Sequence, residues 1–157
     1  MTTFVRAACF AVALSLTALK DGEAQSPFPA AGAESRSTDT VRVGCSGGDT
    51  GGGGGNTLTR DGHRATYEHP TWRRDSITHS PLRRDPAAAT TVFAALEGVR
   101  FRALRFNKVG NMTCVLALHD GEGGHAVTWL MGHPPQELAP VLAALKRAFG
   151  DDRRLWP

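Results

Sequence analysis

Seven of the nine residues from Gly47 to Gly55 are glycine, directly after the alternating segment Thr40–Cys45. A stretch so poor in side chains has almost nothing to pack with, so the core must be built elsewhere. Thr40–Gly47 reads as a first strand, because Val41, Val43 and Cys45 alternate with Arg42 and Gly44 at the period of a half-buried strand. Ser46–Gly55 is expected to be loop, with Gly51–Gly55 as slack before extended structure resumes at Asn56–Arg60.

The remaining elements follow from periodicity and breakers. Asp61-Gly62 signals a two-residue hairpin turn, with His63–Glu68 as the returning strand and Ala65 and Tyr67 on one side of it. His69–Arg84 holds two prolines and four arginines with little apolar content and is expected to be an exposed loop. Asp85-Pro86 sets an N-cap followed by proline at the first helical position. The helix it starts runs to about Glu97, with Ala89, Val92, Phe93 and Leu96 as its apolar stripe and Gly98 as its stop. Val99–Phe106 alternates loosely and is expected to be a short extended segment, and Asn107–Gly110 reads as a turn. Asn111–His119 and Gly124–Met131 read as a core hairpin across the turn Asp120–Gly124. Pro134-Pro135 opens a second helix with the stripe Leu138, Val141, Leu142, Leu145 and Phe149, and Gly150 as C-cap.

The predicted order is β-β-α-β-β-α. It implies an α+β two-layer domain, an antiparallel sheet of about four strands with both helices on one face. The domain spans 40–150, of which ~110 residues can bury one small core.

The N-terminal part predicts export. Met1–Ala24 has one early cation, Arg6, then the apolar run Ala7–Leu19 and a polar end with Gly22 and Ala24 at the −3 and −1 positions, which is the pattern of a cleaved signal peptide. The run is too short to span a bilayer comfortably, so no membrane association is expected once the leader is removed. Residues 25–39, rich in Pro, Ala, Ser and Gly, are expected to be a disordered linker, and 151–157 a polar tail. The leader carries Arg6 and Lys20 against Asp21 and Glu23, so the mature chain keeps the formal charge of +3.

Cys45 and Cys114 remain after the leader, an even count that in an exported chain reads as one disulfide. Both fall on the apolar parity of their strands, Cys45 with Val41 and Val43, Cys114 with Met112, Leu116 and Leu118. Two buried free thiols are the alternative.

No motif specifies catalysis. Gly48-Asp49-Thr50-Gly51-Gly52 looks superficially like the nucleophile turn of trypsin-like proteases, but threonine replaces serine and no histidine precedes it. The glycine run enters a strand rather than a helix with a Lys-Ser/Thr pair, unlike a P-loop. The six histidines include no helical i,i+4 pair of the zinc-protease kind, and Cys-x-x-Cys is absent; His119 and His125 flank one hairpin and are the nearest to a metal pair. The arginines are interspersed with acids, which favours a solvated surface over a nucleic-acid face. The chain is therefore expected to be non-enzymatic, with no cofactor, metal or nucleic acid.

Ser46-Gly47-Gly48, Val92–Phe101, Asn111–Leu118, His125–Trp129 and Pro134–Leu145 together resemble the layout of emfourin, the protein inhibitor of protealysin-type metalloproteases. The resemblance implies inhibition of thermolysin-like zinc proteases by occlusion of the cleft, with a secreted zinc metalloprotease as partner. Ser46, Gly47, Gly48, Asp49 and Thr50 would form the inhibitory loop, anchored at Cys45, with Asp49 directed toward the metal. The chain departs from that family in its leader, its cysteine pair and Asp49 after Ser-Gly-Gly. The alternative expectation is a periplasmic or secreted binding domain for another partner.

Overall fold

The computed structural model describes residues 39–48, 51–69 and 77–150. The leader, residues 25–38 of the expected linker, Asp49, Thr50 and the tail lie outside them. Described residues form one antiparallel six-stranded sheet and two α-helices. The strands are β1 (Thr40–Gly47), β2 (Gly53–Thr59), β3 (Arg64–His69), β4 (Thr78–Leu82), β5 (Met112–Asp120) and β6 (Gly123–Leu130). Their spatial order is β4-β3-β2-β1-β5-β6. Helix α1 (Pro86–Gly98) precedes β5 and helix α2 (Ala139–Phe149) follows β6.

The expected α+β class holds, but the sheet has six strands rather than about four. One extra strand is β4, inside the segment expected to be loop. All five of its residues are exposed, so it carries no hydrophobic alternation to read. Its place at the sheet edge suits Pro81, whose missing N–H is tolerated there. The other correction concerns the glycine tract. Gly53, Gly54 and Gly55 belong to β2, opposite Ser46, Cys45 and Gly44 of β1 and His69, Glu68 and Tyr67 of β3. They are ladder rather than slack.

Strand parity divides the sheet into two faces. On one, Val41 stands opposite Leu58 and Leu118, Val43 opposite Asn56 and Leu116, and Cys45 opposite Gly54 and Cys114; Trp129 and Val127 continue these rows on β6. The helices complete this core with Ala89, Val92, Phe93 and Leu96 from α1 and Val141, Ala144, Leu145 and Ala148 from α2. The caps follow the sequence: the Asp85 carboxylate accepts from Ala88 N–H at 3.0 Å, and Gly150 N–H donates to the Lys146 carbonyl at 2.8 Å. A 3-10 turn, Gln136–Leu138, lies between Pro135 and α2, so the helix proper starts later than the proline pair suggested. Val99–Phe106 is not a strand: it contains a 3-10 turn at Phe101–Ala103.

The disulfide is present. Cys45 and Cys114 face each other across β1 and β5 with Cα atoms 3.9 Å apart, the closer of the two kinds of antiparallel pairing. The β2–β3 hairpin turns through Arg60, Asp61 and Gly62, with Thr59 N–H donating to the His63 carbonyl and Gly62 N–H to the Thr59 carbonyl. That is a three-residue loop with glycine at positive φ, not the two-residue turn expected. Asp39, assigned above to the linker, is bound to Arg60 through both its carbonyl and its carboxylate.

The second sheet face has a buried patch of its own, formed by Arg42, Tyr67, Val115 and Ala117. The glycines explain its centre. A Cβ on Gly44 would lie 2.3 Å from the Tyr67 hydroxyl, and one on Gly55 would lie 2.5 Å from it. The paired glycines thus form a flat bed for the tyrosine ring. The Arg42 guanidinium lies 4.5 Å from the centre of that ring, and Arg42 is only 6% exposed, held by ring and strand packing.

Burial pushes the Tyr67 hydroxyl up from 10.0 to about 12, against the smaller opposing pull of Arg42. Tyr67 is the only tyrosine, so absorbance at the tyrosinate band reads it alone. A raised folded value means that the fold favours the neutral phenol. Its contribution to stability is complete below the unfolded value of about 10 and is lost as pH climbs through about 12. The titration midpoint of the folded chain is expected near 12; a midpoint near 10, as in an open peptide, would contradict the burial.

Candidate functional site

Of the residues singled out in the sequence, Ser46, Gly47 and Gly48 sit at the tip of the β1–β2 hairpin. Three backbone hydrogen bonds shape it. Gly47 N–H donates to the Gly52 carbonyl at 3.0 Å, Gly51 N–H to the Gly48 carbonyl at 3.0 Å, and Gly48 N–H to the Asn111 carbonyl at 2.6 Å. Gly48 and Gly51 therefore close a four-residue turn, and the turn is tied laterally to the start of β5. Asp49 and Thr50, its two central positions, lie outside the described residues. The structure thus brings Ser46, Gly47 and Gly48 together at one tip.

Gly47 shows why glycine is needed at the anchor. Its φ of 121° suits glycine, and a Cβ there would lie 1.9 Å from the Asn111 carbonyl oxygen. Any side chain would push the tip away from β5. Two residues earlier, the Cys45–Cys114 bond fixes the same pair of strands covalently. The tip is held on one side by β5 and on the other by the glycine ladder of β2.

Sequence reasoning missed the neighbours of this tip. Asn111 is the anchor, through its backbone carbonyl. The loop preceding it exposes Val109, 74% accessible, and Leu130 at the end of β6 is 37% accessible. Gly110 N–H donates to the Thr113 hydroxyl, and that hydroxyl donates to the Gly110 carbonyl, so the 107–111 loop is tied to β5. Asn107 bridges to Thr128 of β6. The only sequence signal for this arrangement was a turn at Asn107–Gly110; an anchoring backbone carbonyl leaves no residue-type signature.

The histidines do not converge. Leu118 pairs with His125 and His119 with Gly124, so His119 and His125 project from opposite faces of the sheet. His125 packs edge-on against Phe101 at 5.1 Å. Desolvation lowers its pKa, with Arg105 and Arg102 acting in the same direction. Among the described residues, no group of three or more His, Cys, Asp or Glu side chains is placed to hold a metal ion. Thr59, Asp61 and His63 cluster on the β2–β3 turn, but the Asp61 carboxylate stands between the other two, accepting from the Thr59 hydroxyl and pairing with His63 at 3.3 Å. A histidine so placed does not contact the hydroxyl as a nucleophile's base would.

No helix among the described residues is long and apolar enough to cross a membrane. Compared with protein-family models and with curated proteins, the chain matches none.

Proposed function

We propose that this chain is an exported, non-enzymatic binding protein that inhibits thermolysin-like metalloproteases by inserting the β1–β2 tip into the cleft. One observation carries the reading: the base of the tip is tied twice to β5, by the Asn111 carbonyl at Gly48 and by the disulfide at Cys45, and is paired on its other side with the glycine ladder of β2. A loop that must bind a protease without being cut benefits from such restraint, because ordering lost before binding is not lost again on binding. The resemblance of the element layout to emfourin supplies the target class, and Asp49, between the two anchored glycines, is the residue proposed to approach the bound zinc. A disulfide between the central strands is compatible with an oxidising compartment, periplasmic or extracellular.

The test is an inhibition assay of the purified exported domain against a panel of thermolysin-like proteases. Inhibition at micromolar protein, weakened about tenfold or more by Asp49→Ala, is the expected result. Complete absence of inhibition at that concentration sinks the protease reading. The second reading, a periplasmic or secreted domain that binds another partner, draws on exposed Val109 and Leu130 beside the tip. Capture from a secreted or periplasmic fraction of a partner that is not a protease, lost on Gly47→Val, would favour it.

A further inference from the structure

At the end of the sheet opposite the tip lies a concavity of about 540 Å3, between the start of β1, the turn after α1 and the β5–β6 turn. Its apolar lining comes from Phe93, Leu96, Phe101 and Leu118, and its size falls in the range of small-molecule sites, roughly 300–1,000 Å3. The rim is charged, and its pairing is uneven. Arg60 is engaged by Asp39 at 2.6 Å and Glu97 at 3.5 Å. Arg102 is engaged by Asp120, by Glu122 at 3.3 Å and by the Gly123 carbonyl at 3.0 Å. The third rim arginine, Arg100, has no side-chain hydrogen bond or ion pair with any described residue.

Arg100 is also the only non-glycine described residue at positive φ, with φ 50° and ψ 51°. Glycine takes that conformation without steric cost. An arginine held there lines the cavity at the expense of local strain, and such outliers gather at ligand sites.

We infer that this cavity binds a small monoanionic amphiphile, a carboxylate on an apolar body, with Arg100 as the carboxylate-binding residue. Pairing on the rim, rather than its balance of four carboxylates against three guanidiniums, decides the sign. Every rim carboxylate already has a guanidinium, so an incoming cation would compete with Arg60 or Arg102. An incoming carboxylate meets Arg100 and displaces no ion pair, forming the strong charge-assisted, bidentate type of contact. Four carboxylates around the mouth disfavour multiply charged anions such as phosphate esters. The apolar body would lie on Phe101 and Leu118. This inference is independent of the tip and its proposed target.

Calorimetric titration of the purified chain with decanoate, decanol and decylamine tests it, since these share a chain length and differ in charge. Decanoate is expected to bind most tightly. Arg100→Gly is expected to weaken decanoate by about tenfold or more, while Tm rises by ~4 °C as the strain is relieved. Arg100→Lys keeps the charge without the fork and falls between the two. Opposite movement of affinity and Tm separates a binding role from a structural one. Equal binding of the three probes, tighter binding of decylamine, absence of binding up to millimolar probe, or unchanged decanoate affinity in Arg100→Gly would each overturn the inference.

Discussion

Replacing Cys45 and Cys114 together by alanine is expected to lower the unfolding free energy by about 4 kcal/mol in the chain-entropy account. The bridge joins residues 69 apart, so without it the unfolded chain regains the freedom of a long loop. Alanine is the better probe because Cys45 and Cys114 are both buried, where a serine hydroxyl would need a partner. Urea unfolding of the oxidised chain, the reduced chain and the double variant separates the terms: the first pair isolates the cross-link, and the second pair isolates the lost sulfur packing. If oxidised and reduced chains unfold within about 1 kcal/mol of each other, the cross-link is not a major source of stability.

The second large effect is expected at Gly44 and Gly55, each changed to alanine. A Cβ on Gly44 would meet the Tyr67 hydroxyl at 2.3 Å and the Gly54 carbonyl at 2.4 Å; one on Gly55 would meet the Val43 carbonyl at 2.1 Å. Backbone stands on one side of each collision, so a side-chain swing does not relieve it. Each substitution is expected to cost about 3 kcal/mol, the upper part of the overpacking range, and to bring the Tyr67 titration down from about 12 as the ring is displaced. Gly98→Ala is the control. No atom of the described residues lies within 4 Å of its Cβ, and alanine in the last turn of α1 is expected to be neutral or stabilising by under about 1 kcal/mol. Equal losses at positions 44, 55 and 98 would remove the platform explanation.

The contrast between these positions shows what was legible in the sequence. Helix α1 announced itself through Asp85-Pro86 and the stripe Ala89, Val92, Phe93 and Leu96, because a helix that buries one face writes its period into the chain. The parity of Cys45 and Cys114 placed both sulfurs on the core face before any pairing was known. Gly53–Gly55 was illegible for the opposite reason. Its role in β2 is to leave room for a ring twelve residues further on, at Tyr67, and a residue chosen for absence looks like a loop. Strand β4 was hidden because both its faces meet solvent, so neither period nor hydrophobicity marks it. At the tip, Ser46–Thr50 was expected to be the positioned part of the loop; Gly48 N–H is bonded to the Asn111 carbonyl, while Asp49 and Thr50 lie outside the described residues. The lateral anchor at Asn111 was not foreseeable, since any residue supplies a carbonyl.

The placement of the exposed strand has a consequence for how the chain behaves among copies of itself. A sheet whose central strands are covered by neighbours can grow only from its rims. At one rim, the segment around Asn107 interrupts the outer edge of β6 at Thr128, with Lys108 N–H donating to the Thr128 carbonyl and Thr128 N–H to the Phe106 carbonyl. At the other, β4 ends the described sheet, and Pro81 interrupts its row of donors. Neither rim offers a regular ladder to another chain, so among the described strands the fold carries its own guard against edge-to-edge polymerisation at high concentration.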